Sequence, residues 1–354
     1  MDAGQATTHA DPMVPEGIMR FYLSDLTESE WLDLRKPDVT ASIVAALFDL
    51  HPYETLSGLY WAKRGVIVPD SETSVMQLGK LLEPAVGPAV QRMRPDWTIT
   101  KAHHYWRDPI LRLGATPDFY VTRFDNGPGM RYGVLQAKST HPSTFARHWT
   151  ESTAPTWIVL QVLTEMMLTN ADFGAIAVLV NDGRAGDVHI YDVPRHIAAE
   201  SRIRQAVAAF WLDLQNGVEP KFNYTRDHDL LGAIYPREIP GKVIDLREDN
   251  RIIPLLEKRA QLDAAINEAE RAKEALDVEL REKMGDAESA LISGWRVSLK
   301  QQTRKNYKPI KGIISQALLD ALEVIRRFAG ENTVACHLKE TSFRALRVHR
   351  EQEF

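Results

Sequence analysis

At 354 residues the chain is too long for one minimal core and has room for a domain of roughly 200 residues plus a smaller appendage. Hydrophobic residues make up 44% and charged residues 26%, ordinary for a globular protein. A formal net charge of −5 excludes a generally basic nucleic-acid coat, so any DNA binding must rest on a local basic surface. The single cysteine, Cys336, excludes an intrachain disulfide framework and a cysteine-rich zinc site, and suits a reducing cytoplasm.

Residues 1–18 hold three acids and no apolar run, and are expected to form a disordered leader rather than a signal peptide or anchor. No stretch approaches the roughly 18 uncharged apolar residues of a membrane span, so a soluble protein with no membrane partner is expected. Thr27 with Glu30 three positions on is a capping-box signature, and Pro37 ends the helix that it starts. A second helix start follows at Thr40. Residues 72–93 carry Met76, Leu78, Leu81, Leu82, Val86 and Val90 along one helical face, with a kink or break expected at Pro84. Residues 97–106 and 111–115 look like strands. FYVTRF (119–124) and MRYGVLQAK (130–138) flank the turn signal DNGPG and predict a hairpin. An apolar helix over 156–169 precedes a second hairpin, 173–180 with 188–193, whose first strand is apolar enough to be central. Pro194 is expected to open a helix that Gly217 closes after Asn216. This order predicts an α/β fold, a mixed sheet flanked by helices, with a folded domain over 19–218.

Residues 219–253 read as a linker or wrapping segment, and 254–354 as a helical C-terminal appendage. Leu255, Leu262, Ala269 and Leu276 recur every seven residues, with Ile266 and Leu280 on a second seam that Arg259 and Lys273 interrupt. This stretch is read as a long helix. The tail combines a strand-like GWRVSL (294–299) with a helix around 312–328.

The chemistry concentrates in GATPDFYV…GVLQAKST. Asp118 starts one hairpin strand, while Gln136 and Lys138 share a face of its partner and Ala137 points away. An acid, an amide oxygen and an ammonium at one edge suit phosphodiester hydrolysis: oxygen ligands for a hard divalent cation, and a positive charge to orient water and offset the phosphorane. His103 and His104 should point to opposite faces of their strand, which argues against a shared metal site. His141 and His148 could touch DNA, and Lys101, Arg107, Arg112, Arg131 and Arg147 could grip its backbone.

Pro117-Asp118 followed by Gln136-Ala137-Lys138 resembles the PD-(D/E)XK nuclease signature. EWLDLRKPDVTASIVAALFDLHPYETLSGLYWAKRG resembles the opening of the YqaJ-type viral recombinases and lambda-exonuclease-like nucleases. The resemblance spans roughly residues 27–200. It implies the PD-(D/E)XK restriction-endonuclease-like fold, with Glu83 in LGKLLEPAV as a further acidic ligand and Gln161 in WIVLQVLTEMMLTN as the glutamine lining the active site. Asp118, Glu83, Gln136 and the carbonyl of Ala137 would then hold Mg²⁺ or Mn²⁺, and Lys138 would position and activate water. Arg35 and Ser42, with Thr116, would hold a terminal 5′-phosphate, for which a guanidinium and hydroxyls are suited.

The implied activity is 5′→3′ hydrolysis of linear duplex DNA in phage-type recombination, in the cytoplasm of a bacterium or phage-infected cell. A homo-oligomer and a single-strand annealing protein as partner are implied by resemblance alone. The sequence departs from the family at Gln136, where glutamate is usual; glutamine keeps an oxygen but removes a negative charge. The rival reading is therefore a catalytically silent DNA-end-binding accessory protein. The sequence does not choose between end-dependent and internal cleavage.

Overall fold

Thr27 caps the first helix as its neighbours predict: its hydroxyl accepts from the Glu30 N–H, and the Glu30 carboxylate accepts from the Thr27 N–H at 2.8 Å. A computed structural model describes residues 13–67, 74–124, 129–293, 295–307 and 338–350. The chain divides into two compact units, Met1–Pro240 and Gly241–Phe354.

In the first unit, β1 (Met19–Tyr22) leads to α1 (Glu28–Arg35), β2 (Val39–Thr40) and a 3-10 helical stretch, Ala41–Phe48. Then come α2 (Leu56–Lys63), α3 (Ser74–Met93), β3 (Trp97–Lys101), β4 (His104–Asp108), β5 (Leu113–Ala115), β6 (Phe119–Phe124) and β7 (Met130–Thr140). The unit continues through α4 (Pro142–His148), α5 (Thr156–Thr169), β8 (Phe173–Asn181), β9 (Gly186–Pro194), α6 (Ile197–Asn216) and α7 (His228–Ile234). Five strands form a sheet in the order β3-β6-β7-β8-β9, and four form another in the order β1-β4-β5-β2. The larger sheet is mixed: β7 and β8 run parallel, and its other neighbours are antiparallel. The expected α/β architecture is present, with both expected hairpins.

Alternation along β7 decides what each face of the large sheet carries. Leu135 and Ala137 pack with Ala175, Ala177, Phe119 and, from α3, Val86 and Val90. Val134, Ile176 and Val178 join the larger core with α5, α6 and the small sheet. Helix α5 lies within that core, with every residue from Gln161 to Thr169 buried. Its approach to the sheet depends on Gly174 of β8, where a Cβ would come within 2.3 Å of Val162 Cγ1 and 2.8 Å of Met166 Sδ. Gly174→Ala is therefore expected to destabilise the unit by about 1–3 kcal/mol through overpacking, read as a lower midpoint in thermal denaturation.

Four expectations change in detail. The run 97–106 is two strands, because β3 ends at Lys101 and β4 begins at His104 in the other sheet. The Ala102 N–H donates to the Asp118 carbonyl at this crossing. The stretch after Thr40 is a 3-10 rather than an α-helix. Helix α3 runs through both Pro84 and Pro88 without a break; both prolines lie on its exposed side, where water can satisfy the carbonyls they free. Helix α6 starts at Ile197, after β9 has run through Pro194, because His196 caps it by accepting from the Ala199 N–H. It ends at Asn216, with Gly217 at φ 70°.

The second unit holds the expected long helix, α8 (Ile252–Met284), whose 33 residues span about 50 Å. It also holds an antiparallel sheet, β10 (Ser289–Ile292), β11 (Trp295–Tyr307) and β12 (Leu338–Arg350), in that order, beyond the expected helical appendage. Met284, Val297 and Leu299 are its buried cluster. The expected turn at 125–128, the expected helix around 312–328 and Cys336 lie outside the described residues. Among the described residues no helix is long and apolar enough to cross a membrane.

Candidate functional site

Strand β6 begins at Phe119, opposite Leu135, so beyond that pair the edge of β7 meets Asp118 instead of a strand. The Ala137 N–H donates to Asp118 Oδ2 at 2.8 Å, and the Gln136 side-chain amide donates to the same oxygen. That amide nitrogen also reaches the Ala137 carbonyl oxygen at 3.5 Å. It thus stands between two oxygens, while its own Oε1 is buried without a hydrogen-bond partner. Two residues on, Lys138 Nζ donates to Gln161 Oε1 at 3.1 Å, and Gln161 Nε2 donates to Glu165 Oε1 at 3.0 Å. The i, i+4 spacing of Gln161 and Glu165 puts both on one side of α5.

The electrostatics are unfavourable to anions as they stand. Burial, then the like charge of Glu83, push the Asp118 carboxyl up to about 6 against the opposing pull of Lys138 and the Ala137 N–H. Burial first and the Asp118 charge second hold the Glu165 carboxyl well above the usual carboxylate range. Two buried acids within electrostatic reach of one another favour a proton or a cation between them.

The structure brings Asp118, Gln136, Ala137, Lys138 and Gln161 together at the start of α5. Glu83 sits on α3, which packs on the opposite face of the sheet, and its carboxylate is ion-paired with Lys101; it acts on Asp118 as a charge. Ser42 shares a hydrogen bond with Thr40 at 3.1 Å and lines a cavity of about 310 Å³ with Lys138, Gln161, His51, Tyr53 and Trp157. Arg35 does not line that cavity. Its guanidinium lies 4.4 Å from the Trp31 ring, with Nε buried and unpartnered, and burial lowers its pKa. Thr116 Oγ1 is likewise buried without a partner.

Most of the cations that flank the site in sequence are engaged within the fold. Lys101 holds Glu83, Arg107 holds Asp38, Arg112 donates to the Pro37 carbonyl and Arg131 to that of Asp172. His103, in the link between β3 and β4, is exposed, while His104 is buried against Tyr120. His141 caps α4, and His148 packs edge-on against Trp157 in the cavity wall.

Sequence reasoning missed two residues here. His51 precedes Pro52 in a loop and carries no local signal; burial, with Arg226 second, pulls its imidazole down to about 4, so it is neutral at physiological pH. Glu165 looked like one polar residue of an apolar helix, yet it is fully buried. Its spacing of four from Gln161 was the available sign.

The family model for the YqaJ-like viral recombinase domain matches residues 30–172. A comparison with curated proteins finds no match. Among solved structures the chain is similar to an alkaline exonuclease from Laribacter hongkongensis, at 20% identity over 57% of this chain and 99% of that one, with a TM-score of 0.43. The same exonuclease in complex with dAMP gives 21% identity, the same coverage and a TM-score of 0.44. A phage-related exonuclease from Haemophilus somnus 129PT is 11% identical over 51% of this chain and 96% of that one, with a TM-score of 0.36. Residues 30–172 of this chain are thus similar to the YqaJ-like viral recombinase domain.

Proposed function

We propose that the protein is a metal-dependent DNA exonuclease of the phage recombination type, hydrolysing phosphodiester bonds from the 5′ end of linear duplex DNA. The observation that carries this reading is the meeting of Asp118, the Ala137 carbonyl and Gln136 beside Lys138. These donors fit Mg²⁺ or Mn²⁺, since they are oxygens of a carboxylate, a peptide and an amide. The buried, unpartnered Gln136 Oε1 supports the fit: rotating the amide by half a turn would place that oxygen where its nitrogen now faces Asp118 and Ala137. Among the described residues no group of three or more His, Cys, Asp or Glu side chains could hold a metal ion, so neutral oxygens must complete the set.

A bound divalent cation would polarise the scissile phosphate and acidify water. The chain's own residues do the rest. Asp118 and Gln136 orient the ligand oxygens. The Lys138 ammonium, held by Gln161, orients the attacking water and offsets charge developing on the phosphate. Ser42 places a hydroxyl in the same cavity. With Arg35 and Thr116, which stand outside that cavity's lining, it would hold the 5′-phosphate, and the 3′-ended strand left behind would pass to a single-strand annealing protein.

The test is digestion of 5′-phosphorylated linear duplex in Mg²⁺, with Lys138→Ala alongside. Nucleotide release by the wild type alone supports the reading. Binding without digestion by either protein would favour a silent DNA-end binder, and nicking of covalently closed circles would make it an endonuclease. Arg35→Ala is expected to lower the preference for 5′-phosphate over 5′-hydroxyl ends by about tenfold or more, the worth of a charged hydrogen bond, read from initial rates on the two substrates. Leu262 and Ile266, one from each seam of α8, are both more than half exposed, which supports self-association through this helix. Replacing both by Glu should lower the mass measured by light scattering.

A further inference from the structure

We infer that Glu165 supplies the second carboxylate of the metal site, taking from helix α5 the role that Gln136 cannot fill from strand β7. The inference rests on the reading of Asp118, Gln136 and Lys138 as a metal-dependent centre, and adds a ligand to it.

Glu165 is 0% exposed and among the largest fully buried side chains of the protein. A carboxylate is seldom buried without a cationic partner or a full set of donors. Glu165 has neither. Its Oε1 accepts from Gln161 Nε2 at 3.0 Å, while its Oε2 is buried with no hydrogen-bond partner. The nearest ammonium, that of Lys138, donates to Gln161 instead.

The strand opposite shows the complementary defect. Gln136 is 4% exposed, and its Oε1 is also buried and unpartnered. Two orphaned acceptors, one on α5 and one on β7, therefore belong to two hydrogen-bonded chains that start from neighbouring positions of one face of β7: Gln136 bonds Asp118, and Glu165 is bonded by the glutamine that holds Lys138. Asp118 and Lys138 are also the charges that Glu165 feels. Neither acceptor meets a hydrogen-bond donor, and a cation would satisfy both.

Charge balance agrees. With glutamine at 136, Asp118 is the single acid of the strand pair, and Glu83, whose charge Asp118 feels from α3, is ion-paired with Lys101. A dication held by one carboxylate and neutral oxygens would be weakly bound. Glu165 restores the second negative charge on the face that carries Gln136 and Lys138.

The experiment measures Mn²⁺ affinity of the full-length chain by electron paramagnetic resonance, without DNA, for the wild type, Glu165→Gln, Gln136→Glu/Glu165→Gln and Asp118→Asn. Glu165→Gln is expected to weaken Mn²⁺ binding about tenfold or more, and the double variant to recover most of that loss by returning a carboxylate to the strand. Wild-type affinity in Glu165→Gln with loss in Asp118→Asn would overturn the role of Glu165 and leave the site standing. Wild-type affinity in Asp118→Asn would overturn the metal site itself. A second measurement needs no change at 165. In a Glu83→Gln chain carrying ¹³C at the glutamate side-chain carboxyls, bound Mn²⁺ should show hyperfine coupling to ¹³C, and its absence would overturn the inference.

Discussion

Lys138→Ala is expected to lower DNA hydrolysis by on the order of 10²–10³ at saturating Mg²⁺, the usual cost of removing one preorganised electrostatic contact to a transition state. The loss should fall on kcat rather than on DNA affinity. Lys138 is one cation at the base of a cavity, whereas duplex binding sums many phosphate contacts over a longer surface. Folding should survive, because Lys138 makes one described hydrogen bond, to Gln161, and that amide can turn to water. Lys138→Arg is expected to recover little, since a planar guanidinium does not replace a compact ammonium within hydrogen-bond distance of Gln161. Single-turnover digestion of a labelled duplex, with binding measured in Ca²⁺, separates the two effects. Equal losses in affinity and rate would show that Lys138 grips DNA and does not serve the reaction.

Asp118→Asn is expected to abolish digestion and to make the metal-free protein more stable at pH 8. The sign follows from the raised carboxyl. Below about pH 4 Asp118 is protonated whether folded or unfolded, and contributes no difference. Between there and about 6 the folded protein keeps its proton while the unfolded chain has lost it, so stability falls as pH rises through this window. Above it the whole cost is present, about 3 kcal/mol at 1.36 kcal/mol per unit. Asparagine removes that cost and keeps an acceptor for the Ala137 N–H; its own amide can donate to Gln136 Oε1. Thermal denaturation in EDTA should show the variant several degrees above the wild type at pH 8 and level with it near pH 4. Adding Mg²⁺ should close the gap from the wild-type side alone, because binding stabilises a folded protein that can hold the ion. A gap that is the same at both pH values would mean that Asp118 is not held in a desolvated site.

Much of the local structure was legible in the chain. The Thr27–Glu30 capping box, the β6–β7 hairpin, the apolar helix α5 and the heptad helix α8 all depend on residues within a few positions of one another, and local spacing encodes them. Alternation likewise separated Gln136 and Lys138 from Ala137. Some of the places where expectation and structure part company depend on the tertiary surroundings. Residues 97–106 divide into β3 and β4, which join different sheets, and α3 passes through its prolines because their freed carbonyls face solvent.

By itself, then, the sequence determined which groups the candidate centre contains: an acid at 118, an amide at 136 and an ammonium at 138, spaced by strand geometry that holds in any context. What only the tertiary structure decided is the company they keep. Helix α5, packed on the sheet through Gly174, brings Gln161 to Lys138 and buries Glu165 beside them. Glu83 of α3 pairs with Lys101 and adds its charge to the surroundings of Asp118. Burial and long-range charge set the protonation of Asp118 and Glu165, and both are properties of packing that no spacing along the chain records.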